Sequence, residues 1–531
     1  MILFIPAWQH LQRGLETDDL IGQIRSFMSS KIDYQVLISD YIPHLRYFLH
    51  RHGLLECHYH NVFDELQGFL SAEQASINLQ DLNFPVGSTF SYTPFHILVH
   101  FEDQLIGQVC FGQGGESLVI SEVKHFSERY LTKIEIYDDR GFISSCKIFE
   151  ENKLKYTDYL DSNGDWIIRE FEKDGSCKVN SENTRGLHDK SYTSFSDIKF
   201  ELMEKHLLKI ITSKCALIIS VTNDNISQIS SSFFLSQMTL SFFKERYTFS
   251  EKKDCFLVKA IEGAQAVLSD RPKIVEKFQR ESHKIYLISP YDSRFKLSLT
   301  QEMKEEVVYV DLREMKQEEW ESIVEALVLS LLAILSIEKE ESREFQVILR
   351  IGDGFSQSCL LKIIENYFTE NFPNEMTILA QIEEEITDEN GLTGQYLAEV
   401  EQKVQVIFQI WKSFIVKEIK TEEEVFKLIG KTRIIVDMGN QPDLFTQIAG
   451  ISAGIPQINR IPSEYIKHQE NGLILPEIDG LSEAVIYYLE NLSEWQRARA
   501  HSVQQIKRYS GIELQKKILR ITKRGQYENK D

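Results

Sequence analysis

Although the 531 residues include seven cysteines (57, 110, 146, 177, 215, 255 and 359), there is no CxxC pair. Their odd number and wide spacing exclude a disulfide framework or zinc finger, and they read as thiols in a reducing compartment. Positive charge is also short: Lys plus Arg number 59 against 80 Asp plus Glu, a formal net charge of −21. Binding to nucleic acid depends on clustered cations that release counterions, so broad contact with nucleic acid is excluded. No basic residue precedes the apolar run of MILFIPAWQH, so no signal peptide is expected. The longest apolar stretch, 326–337, is about a dozen residues with two serines, whereas a spanning helix needs about 20. A cytoplasmic chain that meets a membrane only from the side is expected.

At 42% hydrophobic and 11% aromatic residues the chain is too apolar to be disordered. Its length allows two to four domains at roughly 100–200 residues each. Apolar runs at Leu3 to Pro6, Val36 to Ser39, Phe95 to Phe101 and Ser117 to Val119 predict strands of a first α/β unit. From Lys133 to Asn180 the pattern alternates, with turn signals at Asp139-Arg140-Gly141, Glu151-Asn152, Asn163-Gly164 and Asp174-Gly175. Such turns need positive φ, and an antiparallel meander is predicted. Beyond a helical stretch at 200–212, apolar strands return at 216–221, 285–288, 307–310, 346–351, 376–378, 404–408 and 434–436, with a long helix at Trp320 to Ile337. Strands buried on both faces and separated by helices predict wound parallel sheets, with a cleft between two such units. The expected domains are 1–128 with 205–280, an inserted β-sheet domain at 129–204, a second α/β domain at 281–504, and a basic C-terminal helix at 505–531 returning to the first domain.

Several motifs invite chemistry. The run His44, His50, His52, His58 and His60 beside Cys57 has no carboxylate or second cysteine at ligand spacing, so no metal site is assigned. Gly450-Ile451-Ser452-Ala453-Gly454 has the letters of a nucleophile elbow. It follows a helix opened near Pro442 and ends before Pro456, so Ser452 reads as a small helix-to-sheet contact. The clusters at 112–115 and 352–354 lack the full G-x-G-x-x-G or P-loop spacing and read as strand-end turns. Between Gln496 and Arg524 nine Lys or Arg residues stand against Glu513 alone, a local charge of about +8. Lys516, Lys517, Arg520, Lys523 and Arg524 are the expected contacts for anionic lipid or an acidic partner. The interspersed Ile and Leu residues predict a helix that packs at the same time.

The most informative stretch runs from Arg433 through Gln441, Ala449, Gly454 and Pro456 to Asn471-Gly472. It resembles the donor-nucleotide half of GT-B glycosyltransferases, which carry E-P-F-G-x-x-x-x-E-A-x-A-x-G-x-P and a later N-G-x-L. In that pattern the first glutamate approaches the sugar and the second receives the ribose hydroxyls. Those positions are Gln441 and Ala449 here. Two lost charge-assisted hydrogen bonds amount to roughly 3–6 kcal/mol, about 10²- to 10⁴-fold. Gln447, Arg294 and Lys296 are the remaining polar groups for a donor.

With Phe4-Ile5-Pro6-Ala7-Trp8 and the meander, the block from Val436 to Arg460 resembles the first of the accessory Sec secretion proteins of Gram-positive bacteria. The resemblance spans nearly the full length. It implies an α/β, GT-B-like fold: two Rossmann-like domains with parallel sheets plus an inserted antiparallel meander, without catalytic residues, metal or cofactor. It also implies an adaptor that joins sister accessory Sec proteins and supports export of serine-rich repeat glycoprotein adhesins by an accessory SecA motor at the inner face of the cell membrane. The rival reading is an active GT-B transferase that moves a sugar from a nucleotide donor to Ser or Thr of the adhesin.

Overall fold

A computed structural model describes residues 1–9, 18–69, 76–112, 119–212, 215–243, 246–249, 254–271, 275–276, 278, 284–289, 298, 300, 303–337, 343–352, 356–388, 402–419 and 422–527. Side chains of 382–388, 422–423 and 523–527 lie outside this description. The chain divides into one unit of Met1–Pro290 with Leu514–Asp531 and a second of Tyr291–Glu513.

The first unit contains a parallel sheet of seven described strands, in the order Ile285–Leu287, Ala266–Ser269, Met238–Phe242, Ala216–Ser220, Ile2–Ile5, Tyr34–Ile38 and Tyr59–Asn61. Its central strands are buried along their length, as parallel strands covered by helices must be. Between Tyr59–Asn61 and Ala216–Ser220 the chain leaves to build an antiparallel sheet of ten described strands from Thr89–Tyr92 to Ser191–Tyr192. The helix Phe195–Ile210, begun by a capping box of Ser194 and Asp197, brings it back. The C-terminal helix Gly511–Tyr527 seats Leu514, Ile518 and Ile521 in the apolar core beside Phe4, Phe27 and Val36.

The second unit has a parallel sheet in the order Phe414–Glu418, Glu344–Ile351, Glu305–Asp311, Thr432–Asp437, Gln457–Asn459 and Gly472–Ile474. The helix Trp320–Ile337 packs on it, with Trp320, Ile323, Leu327 and Leu331 fully buried. Together the sheets give the expected fold class: α/β with two parallel sheets and an antiparallel insertion.

Several sequence expectations are corrected. The antiparallel sheet includes Thr89–Tyr92, His96–Phe101, Gln104–Phe111 and Ile120–Ser127, which the 1–128 boundary left in the first α/β domain. The hairpins missed there turn on Glu102-Asp103 and Glu128-Arg129, which reach positive φ of 48°, 62°, 51° and 70° without glycine. Ile285–Leu287, placed after the 281 boundary, pairs with Ala266–Ser269 in the first sheet. The strands expected at 376–378 and 404–408 lie within the helices Pro373–Asp388 and Gln402–Ser413. In the latter, Val404, Ile407, Ile410 and Ser413 are buried, and their spacing of three fits a helical face. The basic C-terminal segment forms two helices, Leu492–Arg508 and Gly511–Tyr527. Residues 113–118 and 353–355, which hold most of both glycine clusters and part of the strand expected at 117–119, lie outside the described residues, as do Arg294 and Lys296.

Candidate functional site

Register in the second sheet sets Asp311 level with Arg350 on one side and with Asp437 on the other. All three lie at the carboxyl ends of parallel strands, where ligands of open α/β sheets bind. The helix Leu444–Ala453 begins beside them at its N-cap residue Asp443.

These groups form a closed network. Arg313 Nη2 lies 2.6 Å from Asp311 Oδ2 and also pairs with Asp443. Arg350, 2% exposed, places Nη1 3.1 Å from the Tyr309 hydroxyl, 3.4 Å from Asp443 Oδ2 and 3.6 Å from Asp311 Oδ2. The Thr446 hydroxyl donates to Asp443 at 2.6 Å. Asp437 accepts the main-chain N–H of Gly439 at 3.1 Å and of Asp443 at 3.0 Å, which folds the Gly439–Pro442 turn over the strand end.

Burial first, and the Asp311 carboxylate second, push Asp437 up to about 7. Burial pulls the Arg313 guanidinium down, but Asp443 and Asp311 more than reverse this and hold it above its ordinary value. Two arginines thus face the carboxyls of Asp311 and Asp443, and the third carboxyl, Asp437, is the one whose charge burial disfavours. A helix N-terminus flanked by two guanidinium groups is a setting for a diphosphate. In this chain the Asp443 carboxylate pairs with both guanidinium groups.

The sequence-derived donor positions are scattered around this network. Gln441 is exposed on the turn. Ala449, 1% exposed, lies on the face of the helix Leu444–Ala453 that joins the apolar core. Gly454 closes the helix at φ +72°, and the Pro456 carbonyl accepts from Ile435 N at 3.1 Å. The Gln447 side chain accepts the Ser463 hydroxyl at 2.6 Å. Ser452 is buried and donates to the Ile448 carbonyl at 2.8 Å, so the nucleophile-elbow letters belong to a helix interior. A Cβ at Gly450 would stand 2.4 Å from Gln457 Nε2, which explains the glycine by helix-to-sheet contact. Asn471 is a turn residue: it accepts from Lys467 N at 2.8 Å and donates to the Tyr465 carbonyl at 3.0 Å.

Sequence reasoning missed Asp311, Arg313, Arg350 and Asp443. The available signal was a charged residue closing each of three predicted strands. In the first unit, a cavity of about 320 Å³ opens beside Pro6, Ala7, Asp40, Lys199 and Asn225. Its Lys199 ammonium is neutralised by Asp40 at 2.9 Å. Lys516, Lys517 and Arg520 are exposed on the C-terminal helix, and the backbone carries Lys523 and Arg524 onward along it.

A family model described as accessory Sec system protein 1 matches residues 4–525. Accessory Sec system protein 1 of Streptococcus gordonii is 32% identical over 524 residues, covering 97% of this chain and 94% of its own. A chain in the crystal structure of accessory secretory protein 1, 2 and 3 in Streptococcus pneumoniae matches with a TM-score of 0.75 at 27% identity, covering 99% of each chain. The pneumococcal O-GlcNAc transferase GtfA, solved with UDP and GlcNAc, matches with a TM-score of 0.69 at 11% identity over 99% of each chain, a likeness of fold alone. On a GT-B-like α/β scaffold, the chain belongs to the family of accessory Sec system protein 1.

Proposed function

We propose that the chain is a non-catalytic adaptor of the accessory Sec system. It assembles with sister accessory Sec proteins, as the pneumococcal relative is described with proteins 2 and 3. With the accessory SecA motor, it supports export of serine-rich repeat glycoprotein adhesins. Lys516, Lys517, Arg520, Lys523 and Arg524 give it a peripheral contact with anionic lipid at the inner face of the cell membrane.

The observation that carries the non-catalytic reading is the Asp443 carboxylate between Arg313 and Arg350. A nucleotide diphosphate must displace it, leaving an acid beside the incoming phosphates. Gln441 and Ala449 add the loss of both donor-contacting acids.

Calorimetric titration of the purified chain with UDP and UDP-sugars, paired with co-purification against the sister proteins, tests the proposal. No donor binding together with a stable co-complex is expected. Donor hydrolysis abolished by substitution at Gln441 would instead make the chain a transferase.

A further inference from the structure

The fold brings together three side chains that the sequence keeps apart. His60 lies on Tyr59–Asn61, the outermost described strand of the first sheet, and Glu65 lies one turn into the following helix, Val62–Gln67. His206 comes from the helix Phe195–Ile210, on the far side of the antiparallel insertion in sequence. Among the described residues this is the one group of three His, Cys, Asp or Glu side chains whose ligand atoms all lie within 4.8 Å of one another.

The geometry points to a Zn²⁺ site formed by His60, Glu65 and His206. Glu65 Oε2 lies 3.2 Å from His60 Nε2 and 4.0 Å from His206 Nδ1. Zn–N and Zn–O bonds of about 2.0–2.1 Å make the edge of a ligand tetrahedron roughly 3.3 Å. The first separation matches such an edge, and the second must close by about 0.7 Å. The Lys209 ammonium occupies the other carboxylate oxygen at 2.8 Å, leaving Oε2 to face the imidazoles.

A second observation is independent of these separations. His206 is 8% exposed, and neither of its ring nitrogens has a hydrogen-bond partner. A neutral imidazole carries one N–H and one lone pair, and burying both without partners is unfavourable. A metal on Nδ1 satisfies the lone pair there. The two imidazoles are stacked at 3.8 Å with 16° between their planes, so their in-plane lone pairs lie in nearly parallel planes and do not meet at one point. Convergence requires one ring to swing, and His60, with its side chain 26% exposed, is at the open edge where it can. Two histidines and one carboxylate are zinc-type ligands, and a water completes the fourth position on the exposed side. The ion would clamp the chain's exit into the antiparallel insertion to its return.

The full-length chain, stripped with chelator, is titrated with Zn²⁺ by calorimetry and with Co²⁺ by visible absorption. One equivalent should bind, with the d–d bands of a four-coordinate cobalt centre. His60→Asn and Glu65→Gln, both at partly exposed positions, should each weaken binding by about a hundredfold or more. His50→Asn, in the same histidine-rich stretch, should leave it unchanged. Absence of saturable binding, or equal affinity in His60→Asn and the parent chain, overturns the site. Circular dichroism of each variant separates lost ligation from lost folding.

Discussion

The Asp443 carboxylate lies 3.4 Å from Arg350 Nη1, so the N-cap of a helix neutralises an arginine two strands across the sheet from the strand that precedes it. Arg350 is 2% exposed and depends on its partners for solvation. A chain that used this strand end for a nucleotide would need the arginine available. Here its charge is committed within the protein.

Asp443→Asn should therefore destabilise the second unit. Removing one member of a fully buried pair costs about 3–5 kcal/mol. Arg313 is partly exposed and Arg350 retains Asp311 at 3.6 Å, so about 1–3 kcal/mol is expected in urea unfolding. The same variant should bind inorganic pyrophosphate more tightly than the parent chain by calorimetry. No gain in anion binding would mean that Asp443 does not hold the phosphate position.

Asp437→Asn should change how stability responds to pH. The folded Asp437 titrates near 7, above its ordinary 3.8, because burial and Asp311 disfavour its charge. The folded chain retains this proton where the unfolded chain has released it. Its contribution is full below about pH 3.8 and lost as pH rises through about 7, with a ceiling of about 4 kcal/mol. Relative to the parent, Asp437→Asn should become progressively more stable from pH 4 to pH 7. Urea midpoints across that range measure it, and a constant difference would reject the linkage.

The strand at Ile434 to Val436, the helix after Pro442 and its stop at Gly454 were legible because apolar run, proline and glycine agree with tertiary position. The pairing of Arg350 with Asp443 was not, since 93 residues separate them and only the order of strands in the sheet brings them together. The hairpins at Glu102-Asp103 and Glu128-Arg129 were hidden because Glu102, Glu128 and Arg129 are not ordinary markers of positive φ and Asp103 has no glycine or asparagine beside it. For Val404, Ile407 and Ile410, a short apolar run fits strand and helix alike, and only packing decides. The position of the Asp443 carboxylate, which lies between Arg313 and Arg350, was not legible either.

The two glycines flanking the elbow-like letters should be far more sensitive than the serine. In Gly450→Ala the new methyl meets Gln457 Nε2 at 2.4 Å and Ile435 Cδ1 at 2.6 Å, so about 1–3 kcal/mol of overpacking is expected. Gly454→Ala places a side chain at φ +72° and should cost about 1 kcal/mol or more. Ser452→Ala loses one hydroxyl bonded within its own helix and gains helix propensity, so its change should stay within about 1 kcal/mol. Thermal unfolding of the three variants ranks them, and a larger loss from Ser452→Ala would contradict the helix-interior reading.

The C-terminal helix separates its packing from its charge. Leu514, Ile518 and Ile521 are 6%, 1% and 6% exposed in the first unit's core, while Lys516, Lys517 and Arg520 are exposed. Reversing these three cations should leave the fold intact and weaken flotation with anionic vesicles. At about 1 kcal/mol per near-surface cation, losing three attractions alone gives a shift of roughly 150-fold. The net charge of −21 repels such vesicles elsewhere on the chain, so the attraction must be local and should fade as salt shortens the Debye length. Ile518→Asp, by contrast, should lower thermal stability because it places a carboxylate in that apolar core. Flotation unchanged by the triple reversal, or equal on neutral and anionic vesicles, would assign the exposed cations to solvation alone.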